Sequence, residues 1–151
     1  MPESAGSDYE KKAKDAIASI SLQDASKGPA DIGKAAAQLI AGASNMAQDP
    51  HQAISAVARG AMLGAFLSVQ DLPACAVEIL KALSDLSLLG RVAPEQIMTW
   101  VLEGIAEMTP QAGLPARSAI REKLEAQFVG ISSVFDPLCD KAFKKSQESR
   151  P

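Results

Sequence analysis

Six prolines, Pro29, Pro50, Pro73, Pro94, Pro115 and Pro137, follow one another at intervals of 21, 23, 21, 21 and 22 residues. Proline holds φ near the helical value and lacks the N–H that the first turn of a helix leaves unpaired, so it starts helices easily and disrupts their interiors. Each of the six is followed by an apolar pattern of helical period, and the spacing predicts six helices of similar length, each opened by its proline. Asp49 and Asp136 stand just before two of them, where a carboxylate caps free N–H groups. Gly28, Gly90 and Gly113 fall in the gaps, where a chain leaves a helix or turns.

A further helix is expected ahead of these. Ser7-Asp8-Tyr9-Glu10 has the capping-box spacing, and Tyr9, Ala13, Ala16, Ile17 and Ile20 make a narrow stripe beside Lys11, Lys12, Lys14 and Asp15. That is a surface helix docked by one face. The expected helices lie near 7–22, 29–44, 50–70, 73–89, 94–108, 115–134 and 137–147, and no segment alternates like a strand. Composition agrees: hydrophobic residues make up 47% while aromatics are 4%, and 27 of the 151 residues are alanine, the strongest helix former. The fold class is therefore all-α, a compact antiparallel bundle of six to seven helices. A chain of this length buries one core, so residues 7–147 are expected to form one domain, with 1–6 and 148–151 disordered.

Taken in pairs, the helices show a period of about 43 residues. Pro50-His51-Gln52 through Val57 and Gly60 aligns with Pro94-Glu95-Gln96 through Val101 and Gly104, and Pro29-Ala30, Leu72-Pro73-Ala74 and Leu114-Pro115-Ala116 echo one another in the second helices. Stacked helical hairpins are thus an alternative to a plain bundle.

The helix at 50–70 is expected at the centre. Its polar positions, Gln52, Ser55, Arg59 and Gln70, share one narrow arc, and Ile54, Val57, Ala61, Met62, Ala65, Phe66 and Val69 are expected inside. Ala56, Gly60, Gly64 and Ser68 recur every four residues, a groove of small side chains that admits another backbone. The uncharged run from Gly60 to Gln70 is far shorter than the roughly 18 to 20 residues that span a bilayer, so tight helix packing is the expectation.

Chemistry-bearing residues are sparse. His51 is the single histidine, which excludes a histidine metal cluster or a paired imidazole system within one chain, and it has no evident partner. Cys75 and Cys139 are too few for a disulfide framework or a zinc site. Each sits two residues after a proline, where a helix N-terminus favours thiolate; small buried hydrophobes are the competing expectation. Glu103 and Glu107 oppose the arc of Ile97, Met98, Val101, Leu102, Ile105 and Met108, so they are expected on a solvated face, with Glu95 on another side. Trp100 falls at the edge of that arc, a position used in interfaces as well as cores. In the last helix Phe135, Leu138, Cys139, Ala142 and Phe143 oppose Lys141, Lys144 and Lys145, a basic amphipathic pattern expected to dock on the core.

No cofactor, metal or catalytic constellation is expected, and the chain reads as non-catalytic. Net charge is -3 with both signs interleaved, which argues against a nucleic-acid partner. The start lacks a secretory signal, so a cytoplasmic location is expected. What remains is a helical interaction or scaffold module, binding a protein partner or a second copy of itself through Trp100, Met98, Met108, Gly60 and Gly64. The alternative is an amphitropic protein whose helices open onto a lipid surface. It is motivated by the stretch from Gly28 to Gly90, which holds only eight charged residues.

Overall fold

Five of the six prolines open helices. The computed structural model of the protein describes residues 4–24, 26–85 and 93–148, and these form seven helices with no strand among them. They are α1 (Ser4–Gln23), α2 (Pro29–Met46), α3 (Pro50–Leu67), α4 (Leu72–Asp85), α5 (Pro94–Ala112), α6 (Leu114–Gln127) and α7 (Ser132–Glu148). Asp49 caps α3 as expected, its Oδ1 accepting the Gln52 N–H at 3.2 Å. Gly113 turns the chain from α5 into α6 at φ +100°, a conformation that glycine adopts without strain. Gly28 instead precedes α2 in extended backbone, its N–H bonded to the Asp31 carboxylate. Gly90 and the other residues of 86–92 lie outside the described residues, as do 1–3 and 149–151.

Several boundaries differ from expectation. Helix α1 begins at Ser4, so Ser7 lies within it rather than capping it, and Glu10 bonds Arg59 instead of closing a capping box. Helix α5 runs through Pro110 to Ala112. Pro110 has no N–H to offer the Ala106 carbonyl, and the buried Thr109 hydroxyl donates to that carbonyl at 2.6 Å in its place. The stretch expected as a single helix at 115–134 breaks at Gly130, φ +92°. There Glu125 accepts the N–H groups of Gly130 (2.7 Å) and Ser132 (3.0 Å), capping a new helix from across the turn. Pro137 therefore sits inside α7, and Asp136, expected as its cap, is held by the Arg121 guanidinium at 2.8 Å.

Helix α3 ends at Leu67. The Gln70 N–H reaches back to the Ala65 carbonyl and the Val69 N–H to that of Phe66, the paired bonds of a Schellman motif. The residue in the left-handed position of that motif, usually glycine, is Val69 at φ +58°. Phe66 and Val69, expected inside, are exposed as a result, whereas Ile54, Val57, Ala61, Met62 and Ala65 are buried.

The helices pack in two layers. In one, α1, α3, α5 and α7 lie side by side; in the other, α2, α4 and α6; contacts between consecutive helices join the layers. Every second helix being a neighbour is the pattern of stacked hairpins, and the small residues show its repeat. A Cβ on Gly60 would collide with the Glu10 carbonyl of α1, and one on Gly104 with the Ser55 carbonyl of α3. These are the two glycines that the 43-residue alignment superposes. Gly64 lies on Lys14 in the same way, its Cβ position 2.5 Å from the carbonyl oxygen, so α1 and α3 run parallel in register. Gly33 plays the corresponding part in the other layer, against the Glu78 backbone. Lys11, Lys12 and Asp15 on α1 and Lys141 and Lys144 on α7, the two outer helices of the first layer, are exposed.

Candidate functional site

The polar arc of α3 does not face solvent alone. Parallel packing sets it against the acidic side of α5, and the two make a seam that runs across three helices. His51 Nε2 lies 2.6 Å from Glu103 Oε1, and the imidazole stacks on Trp100, centroids 4.7 Å apart and planes 16° from parallel. Ser55 Oγ is 2.8 Å from the same Glu103 oxygen and 3.1 Å from the Trp100 carbonyl. One turn further along, Arg59 donates to Glu10 of α1 at 3.0 Å and to Glu107 of α5 at 2.5 Å. An open cleft of about 350 Å³ lies over the seam, and Asp49, Gln52 and Lys145 complete its walls.

The seam corrects two expectations. His51 has a partner after all, and Glu103 and Glu107 are half-buried bridges rather than a solvated face. Burial alone pushes the Glu103 carboxyl up. The bonds from His51 and Ser55 and the nearby charges of His51 and Lys141 outweigh it and hold the group below its ordinary range. Burial likewise works against the Arg59 charge, but Glu10 and Glu107 raise its pKa above the ordinary value.

Serine, histidine and glutamate together invite comparison with a nucleophilic triad, yet their order is wrong for one. A triad places the imidazole between hydroxyl and carboxylate so that it accepts the hydroxyl proton. Here the carboxylate lies in the middle and takes bonds from both. Through Glu103, Ser55 and His51 tie α3 to α5, and Arg59 extends the tie to α1.

Burial disfavours the thiolate form of both cysteines. Burial pushes Cys75 up to about 12, with Asp71 and Glu78 adding to it, and Cys139 up to about 11. Both are fully buried and unpaired, and Cys139 is well inside α7 because that helix starts at Ser132.

Of the five residues expected at an interface, three are spent inside the molecule. Gly60 and Gly64 receive the α1 backbone, and Met108 is fully buried. Helix α5 is flanked by α3 and α7 and backed by α4 and α6, so its apolar arc has no free edge at Met108. Met98 and Trp100 are half-buried against the core. A helical wheel shows which side is apolar but not how many neighbours share it.

The exposed apolar surface lies elsewhere. Seven large hydrophobic residues are exposed among the described residues: Leu22 (83%), Phe66 (38%), Leu67 (59%), Val69 (90%), Leu114 (61%), Val129 and Val134. Because α1, α3 and α5 run parallel, their last turns share one end of the bundle, where α2, α4 and α6 begin. Leu22 closes α1, Phe66 and Leu67 close α3, Val69 follows in the turn and Leu114 opens α6. Five of the seven thus gather at that end, while Val129 and Val134 flank the turn into α7 at the other. Sequence reasoning missed this group because Phe66 and Val69 fit the core period of α3. The available signal was Asp71 with Pro73, which require the next helix to start at once; Asp71 Oδ1 caps it by accepting the Ala74 N–H. Among the described residues no helix is long and apolar enough to cross a membrane, and no group of three or more acidic, histidine or cysteine side chains is placed to hold a metal ion. Comparison with protein-family models, with curated proteins and with solved structures finds no match to this chain.

Proposed function

We propose that the protein is a non-catalytic helical interaction module whose partner is a protein, bound at the end of the bundle where α1, α3 and α5 finish. The observation that carries this reading is the gathering of Leu22, Phe66, Leu67, Val69 and Leu114 at that end, five of the seven exposed large hydrophobics among the described residues. The backbone at Val69 supports it. A β-branched residue in the left-handed region costs on the order of 1 to 3 kcal/mol, and glycine would avoid the cost. Strain held at a residue that touches little of its own fold is consistent with a side chain used by something outside it. The seam supports the non-catalytic part, since His51 and Ser55 both bond Glu103. The two unpaired thiols fit a reducing, cytoplasmic setting.

The test compares wild-type protein with Leu67→Asp, immobilised through the opposite end and exposed to native cell extract. Specific proteins retained by the wild type and lost with the variant, at unchanged helicity, are the expected result. Equal retention by both would contradict the reading. Flotation of the wild type with liposomes in place of protein capture would favour the amphitropic alternative.

A further inference from the structure

The second layer holds a cavity that shares no residue with the seam or with the exposed apolar group. It lies between α2 and α4, has a volume of about 330 Å³, and is lined by Ala30, Lys34 and Ala37 on one side and by Glu78, Lys81 and Ala82 on the other. Its shape comes from the sequence. Gly33 brings α2 against the Glu78 backbone, where a Cβ would stand 2.6 Å from the carbonyl oxygen. Ala30 and Ala37, three residues before and four after Gly33, share its face of α2, and Ala82 follows Glu78 by one turn of α4. Their methyl groups are too short to fill the space beside the close contact, so a half-open trough with a hydrocarbon floor remains.

Two cations and one anion line the trough. Lys81 pairs with Glu78 at 3.8 Å. Lys34 is exposed and has no hydrogen bond or ion pair among the described residues. One positive charge is thus in excess, and it stands over methyl groups and the aliphatic stems of the two lysines. The matching ligand carries a single negative charge on an apolar body, because a second negative charge would meet the Glu78 carboxylate. The lining holds no aromatic ring on which a planar ligand would stack, so a flexible aliphatic chain suits it better. The volume is at the lower end of the roughly 300 to 1,000 Å³ of small-molecule sites, which fits one chain and not a two-chain lipid.

From these relations we infer that the trough between α2 and α4 binds an aliphatic monocarboxylate, its carboxylate between Lys34 and Lys81 and its chain on Ala30, Ala37 and Ala82. Titration of the full chain, labelled with nitrogen-15, with decanoate below its micelle concentration tests this by nuclear magnetic resonance. Decanol serves as the uncharged ligand. Lys34→Glu and Lys81→Glu reverse the two cations at exposed positions, and Lys12→Glu on α1 is the control for net charge. The expected result is a saturable shift of amide signals in 30–38 and 78–82 of the wild type and the control. Affinity should fall about tenfold in each of the other two variants, and decanol should bind about tenfold more weakly than decanoate. The absence of saturable shifts in those two segments overturns the inference. So does an affinity that both lysine variants leave unchanged, a loss as large in Lys12→Glu as in Lys34→Glu, or decanol that binds as tightly as decanoate.

Discussion

His51 lies flat on Trp100 while its Nε2 meets Glu103, so the single histidine and the single tryptophan of the chain form one contact between α3 and α5. Tryptophan emission therefore reports on this junction alone. His51→Ala should change the intensity and shift the maximum to longer wavelength as water reaches the indole face, with far-ultraviolet circular dichroism unchanged. Emission identical to wild type would show that the rings are not stacked in solution.

Glu103 ties the same junction to pH. Its carboxyl is held below the ordinary 4.5, so its bonds stabilise the folded state fully above that value; the stabilisation is lost as pH falls through the depressed folded value. Glu103→Gln should cost about 1 kcal/mol in urea unfolding at neutral pH, and the difference from wild type should shrink in acid. A difference independent of pH would contradict the assignment.

Gly60 and Gly104 should tolerate no side chain, because the groups a Cβ would strike are backbone of the neighbouring helix. Gly60→Leu or Gly104→Leu should destabilise by about 1 to 3 kcal/mol or more, measured by thermal or urea unfolding. Gly42 is the internal control. It is exposed within α2 with open space around it, so Gly42→Ala should stabilise by about 0.5 to 1 kcal/mol. Equal responses at 42 and 60 would show that α1 does not seat on α3.

Val69 offers the opposite sign. Val69→Gly should raise stability by about 1 kcal/mol, because relief of left-handed strain exceeds the added entropy of an unfolded glycine. The same substitution should weaken partner binding. A loss of stability would show that the valine packs where the structure leaves it exposed.

Helix starts were legible wherever the signal was local. Pro29, Pro50, Pro73, Pro94 and Pro115 each carry a fixed φ into a first turn, and Gly60 with Gly104 marked the repeat at its points of closest approach. Pro137 misled because the start it suggested is overridden by Gly130 and by a cap from Glu125, seven residues before Ser132. The seam was illegible for a different reason. His51 and Glu103 are 52 residues apart, and each helix viewed alone turns its polar arc to solvent. Only the parallel placement of α3 beside α5 brings those arcs together. The apolar end was hidden by periodicity itself, since the helical pattern of α3 continues through Val69 after the helix has stopped.

The central claim, that the end bearing Leu67 and Val69 is where another protein chain binds, is tested most directly by photo-cross-linking. A photoreactive residue is placed at position 69 or, as a control, at the exposed Gln48 between α2 and α3, at the opposite end. Adducts to a protein chain, a second copy included, should form from position 69 and be absent from position 48. Adducts from position 48 alone, or equal and diffuse labelling from both, would contradict the account.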